Sequence, residues 1–131
     1  MNKKSKISNP KSQIFSSRLK IKDAGKIYMA FVFFVGAVVS VYFFWKKTVF
    51  LFALLVIISF LKHRVIPIKR ESDIFVISGL IGSLGESFII TGGAWSYANY
   101  QLLNFPIWLP LLWGIAGITG ISMYEGLLEK L

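Results

Sequence analysis

Four apolar blocks, the first three separated by short basic clusters, constrain this chain more than any other feature. They cover residues 27–45, 48–61, 74–91 and 106–124. A backbone in hydrocarbon must satisfy its own hydrogen bonds, and a helix does this within one segment. About 20 apolar residues at about 1.5 Å each cross a bilayer. The chain is 55% hydrophobic and only 16% charged, against about 25% charged in soluble domains. Its mean hydropathy is +0.64. The expected fold is therefore all-α: an integral membrane four-helix bundle over 27–131, preceded by a disordered basic arm over 1–26. The second block is short at 14 residues. It spans only if Lys46 and Lys47 snorkel or the bilayer thins, and a re-entrant segment is the rival.

The charge is unevenly placed. Net charge is +9, and eight of the fifteen Lys and Arg residues precede residue 27. The arm is Ser- and Lys-rich with a breaker at Asn9-Pro10, which reads as disorder in water. Ile14, Phe15 and Leu19 suit a short interfacial turn on lipid. Beside a spanning segment, such an arm points to anionic lipid rather than nucleic acid. Four spans with the amino terminus inside put thirteen basic residues on the cytoplasmic side, against Lys46 and Lys47 outside. The positive-inside rule then makes this a multi-pass cell-membrane protein with both termini cytoplasmic. The long basic stretch, with no small-residue cleavage pattern, does not read as a cleavable signal.

Much chemistry is excluded. There is no cysteine, so no disulfide, iron–sulfur cluster or thiolate zinc site can form. The one histidine, His63, lies in the basic loop Lys62-His63-Arg64 and cannot build a metal site alone. Glu71 and Asp73 read as a solvated helix start, with Ser72 or Asp73 as N-cap. No phosphate loop or nucleophile triad is present. No metal or cofactor is expected.

Glu86 is the exception inside the apolar blocks. A carboxylate at membrane depth costs about 2.5–3.5 kcal/mol on insertion scales, so it needs a partner or a task. No basic side chain within a span can pair with it. The expected form is a neutral carboxyl acting as donor, with Ser83, Ser87 or a backbone carbonyl as acceptor. At 100° per residue, Gly79, Gly82, Ser83 and Glu86 share one helix face. The third span carries Gly79, Gly82 and Gly85, and the fourth Gly114, Gly117 and Gly120. Small residues at such spacing let helices approach closely in lipid, so these two spans should pack together. Depth along each helix then sets Glu86 near Trp113.

The segment between them, Gly92 to Gly114, is aromatic and Pro-rich. Gly92-Gly93 should end the third helix, and Asn104 should cap the fourth, with Pro106 in its first turn and Pro110 loosening it. Trp108 and Tyr100 fit an interfacial aromatic belt. Trp95, Tyr97, Asn99 and Trp113 beside a sheltered acid suggest a pocket: aromatic walls, one amide and one carboxyl.

The run Glu86, Gly93-x-Trp95-x-Tyr97, then Pro106-Ile-Trp-Leu-Pro110-Leu-Leu-Trp113-Gly114 resembles that of small uncharacterised prokaryotic membrane proteins. More faintly, Glu86, Thr91-Gly92, Tyr97, Pro106, Pro110 and Trp113 resemble the layout of the carotenoid hydratase family of membrane enzymes. The chain is shorter than those enzymes and lacks the Pro-Phe-Gly of their loop. Three functions follow as expectations. The first is binding of a lipid or isoprenoid in an outer-leaflet pocket, with Glu86 as catalytic proton donor if the protein is an enzyme. The second is a non-enzymatic accessory or assembly subunit, in which Glu86 and the glycine faces join helices within or between protomers, with a second copy or a membrane protein as partner. A proton-linked channel or transporter ranks last.

Overall fold

The computed structural model describes residues 10–130, and side chains over 25–129. Four helices follow one another: α1 (Pro10–Phe44), α2 (Thr48–Val65), α3 (Glu71–Thr91) and α4 (Leu109–Lys130). Among the described residues there is no strand, only an isolated bridge between Leu102 and Phe105. All four helices are long and apolar enough to cross a membrane, over Gly25–Phe44, Thr48–Val65, Glu71–Thr91 and Leu109–Glu129. The protein is an all-helical, multi-pass membrane bundle.

Several boundaries differ from the sequence reading. α1 reaches back to Pro10, into the arm expected to be unstructured; a proline at a first helical position needs no N–H partner and starts a helix rather than breaking it. Met1–Asn9, and the arm side chains expected to meet anionic lipid, lie outside the described residues. α2 runs on through Lys62, His63 and Arg64 to Val65, giving 18 residues and removing the need for a re-entrant segment. α3 begins at Glu71, after Arg70 in a left-handed conformation with φ 57, so neither Ser72 nor Asp73 is its cap. α4 begins at Leu109, not Pro106. Pro110 therefore falls in the first turn, where its missing N–H is harmless.

α4 is the hub. α3 packs against it, α1 packs against it, and α2 rests on α1 with a lighter contact to α4. The glycines explain the close α3–α4 approach. A Cβ at Gly79 would come within 2.7 Å of the Pro110 carbonyl oxygen, and one at Gly114 within 2.7 Å of the Phe75 ring. Gly82 faces the Trp113 indole and Gly117 faces the Ser78 side chain. Each glycine thus makes room for a larger group on the opposite helix, the packing device that replaces hydrophobic drive in lipid. Gly85 and Gly120 face open space and take no part.

The core is not made by helices alone. Ala37, Leu51, Leu55 and Ile115 cluster with Phe105 and Trp108, which come from the segment between α3 and α4. That segment is therefore packed into the bundle and helps to hold it.

Candidate functional site

α3 ends as expected. Gly92 caps it, its N–H donating to Ile89 O at 3.0 Å and that of Gly93 to Ile90 O at 2.9 Å. Gly93 follows at φ +84, a left-handed conformation that side chains rarely adopt. The chain then turns back over the helix end, and the last turns of α3 hand it two consecutive polar side chains.

Glu86 is the first. Its Oε2 accepts from Trp113 Nε1 at 2.8 Å, and its Oε1 accepts from the Tyr97 hydroxyl. The carboxyl is met by two donors, whereas the sequence reading gave it acceptors. Neither serine takes that role: Ser83 Oγ is buried with no partner among the described residues, and Ser87 is engaged elsewhere. Ser87 Oγ donates to Asn104 Oδ1 at 2.6 Å, and Asn104 Nδ2 donates to the Ser87 carbonyl at 3.0 Å. Asn104 is thus a clamp on α3 and does not cap α4. Successive residues of a helix point 100° apart, so Glu86 reaches Tyr97 and α4 while Ser87 reaches Asn104.

The segment also ties itself. Phe105 N donates to Leu102 O at 2.8 Å, and Leu102 N to Phe105 O at 3.1 Å; Ile107 N donates to Gln101 Oε1 at 3.1 Å. Trp108, assigned by the sequence to an interfacial belt, is only 4% exposed. It lies edge-on to Tyr97 with ring centroids 6.0 Å apart. Its Nε1 has no partner among the described residues. Burial, and then the hydrogen bond and charge of Glu86, push the Tyr97 phenol above its ordinary range. Tyr97 is therefore a firm donor at neutral pH.

Beside this framework lies a cavity of about 520 Å³. Tyr42, Phe43 and Trp45 from the end of α1 face Tyr97, Asn99 and Trp108 across it. Of the expected pocket residues, Tyr97 and Asn99 line this cavity. Glu86 does not line it and touches it only through Tyr97. Trp113 faces a separate groove on the α3–α4 surface, and Trp95 is 44% exposed and lines neither. The α1 aromatics were missed, because the sequence places them some fifty residues away from the loop they face.

A second polar cluster occupies the other end of the bundle, where the sequence implied solvated loops. Lys62 is fully buried, and its Nζ meets Glu71 Oε1 at 2.6 Å, with Glu71 only 6% exposed. His63 Nδ1 lies 2.6 Å from Glu71 Oε2, and the Ile68 N–H donates to the same oxygen at 3.3 Å. Lys26 pairs with Glu125 at 3.1 Å and Glu129 at 3.8 Å, linking the start of the α1 span to the end of α4. Among the described residues no group of His, Cys, Asp or Glu could hold a metal ion.

No protein-family model matches this chain, and neither does any curated protein or solved structure.

Proposed function

We propose that this small membrane protein binds a lipid or isoprenoid in the aromatic cavity between the end of α1 and the α3–α4 segment. The observation that supports this reading is the lining. Five aromatic rings and one amide, Asn99, line about 520 Å³. A largely apolar wall with few polar groups is the usual form of a small-molecule site.

Glu86 is a positioning residue in this scheme. Both its oxygens are engaged, and by holding Tyr97 it fixes one wall of the cavity. Glu86 does not line this cavity, so a proton-donor role would have to act through Tyr97. In the assembly reading, the two hydrogen bonds of Glu86 join helices and segment within one protomer. The layout similar to carotenoid hydratases supports the apolar ligand class and not the reaction.

The test is native mass spectrometry of the detergent-purified protein with extraction of whatever it retains. Ala98→Trp, which fills the cavity from its own lining, should release the retained lipid or isoprenoid without changing thermal stability greatly. An unchanged ligand complement in that variant would refute the reading.

A further inference from the structure

A cavity of about 330 Å³ lies between α2 and α3 at the end opposite the aromatic site. Phe60, Phe75, Val76 and Ile118 form its apolar part, while His63 and Glu71 mark its polar end. α3 leans on α4 and α2 on α1, which leaves this opening between two membrane-spanning helices.

The charges around its polar end do not cancel. Glu71 is neutralised by the buried Lys62 at 2.6 Å. Asp73 is engaged by Arg70 at 2.9 Å. Arg64, next in the chain to the lining residue His63, and Lys69, two residues before the lining residue Glu71, have no ion pair among the described residues. The Arg64 guanidinium lies 5.8 Å from the ring centroid of Phe60, itself a wall of the cavity. An apolar slot between spanning helices, ending in uncompensated cations, matches an anionic phospholipid: chain below, phosphate above. The Lys62–Glu71 pair has a part in this. A free carboxylate at Glu71 would repel a phosphate, and Lys62 cancels it from inside the bundle.

We propose that the α2–α3 groove holds one acyl chain of a net-anionic phospholipid whose headgroup phosphate is met by Arg64 and Lys69. The site is independent of the aromatic cavity and of the basic arm.

The experiment is native mass spectrometry of the full-length protein in detergent, with added phosphatidylglycerol or phosphatidylcholine of matched chains, before and after a high-salt wash. Salt strips lipid held by surface charge alone, because screening shortens the reach of exposed charges. The wild type should keep one phosphatidylglycerol per chain after the wash and clearly less phosphatidylcholine. Arg64→Gln with Lys69→Gln removes the two cations that would bond the phosphate directly, and should lower retention of phosphatidylglycerol after the wash by about tenfold or more, to the level of phosphatidylcholine. Val76→Trp, an exposed position that narrows the groove, should lower retention of both lipids. Changing Lys3, Lys4 and Lys6 together to Gln should leave salt-resistant binding intact. Equal retention of the two lipids, unchanged retention in the Arg64/Lys69 or Val76 variants, or loss in the arm variant would each overturn the proposal.

Discussion

Trp113 lies across one turn of α3: its indole faces Gly82, and its Nε1 donates to Glu86 Oε2 at 2.8 Å. Gly82 and Glu86 are four residues apart, on one helix face. The glycine admits the ring and the acid then holds it. From the other carboxyl oxygen the same acid holds Tyr97. One side chain therefore fixes both the α3–α4 contact and the segment above it.

Gly82→Ala should separate these helices. A Cβ there meets the indole, whereas one at Gly85 meets nothing within 4 Å. Overpacking costs about 1–3 kcal/mol, so Gly82→Ala should lower the thermal midpoint by several degrees. Gly85→Ala should be neutral or slightly stabilising, since alanine favours helix. Thermal unfolding of both variants in one detergent checks this.

Glu86→Gln keeps one acceptor oxygen and Glu86→Ala keeps none. Each sheltered donor left unpaired costs about 1–3 kcal/mol, so Gln should be moderately destabilising and Ala more so. Tryptophan fluorescence should shift in Glu86→Ala, where Trp113 loses its acceptor, and less in Glu86→Gln. Equal behaviour of Ala and wild type would show that these two hydrogen bonds contribute nothing.

Tyr97 sets a pH dependence. Its phenol is raised by burial and by Glu86, so the folded state keeps a proton that the unfolded chain releases near pH ~10. The associated stability is fully present below that value and is lost as pH rises through the folded-state value. Tyrosinate absorbance should show a late component at high pH, and Tyr97→Phe should remove it.

The Lys62–Glu71 pair should show strong coupling. Removing one partner leaves a buried charge, at about 3–5 kcal/mol. Lys62→Met should therefore be severe, while Lys62→Met with Glu71→Gln should recover much of the loss. Denaturant or thermal unfolding of the single and double variants gives the comparison.

The helices were legible because apolar blocks in lipid have one structural solution. The meeting of α3 and α4 was legible too: the Gly79–Gly82–Glu86 face and the depth of Trp113 are local, periodic quantities. What the sequence hid depends on partners distant in the chain. Lys62 looks like a loop residue until Glu71 is found beside it, so α2 seemed four residues too short. Asn104 looks like a helix cap until Ser87 takes its amide. Tyr42, Phe43 and Trp45 look like the end of a span until the α3–α4 segment folds against them. Pro110 looked like a bend only because α4 was taken to start at Pro106.

A double-mutant cycle on Glu86→Gln and Tyr97→Phe, read by unfolding and by retained lipid, tests the role of Glu86 most directly. If the carboxyl acts by holding the tyrosine, the two changes should be non-additive, with a coupling of about 1–3 kcal/mol in stability. Either change alone should then release most of the ligand. Additive stability losses, with ligand retained in Tyr97→Phe and lost only in Glu86→Gln, would contradict it and return Glu86 to direct contact with the ligand.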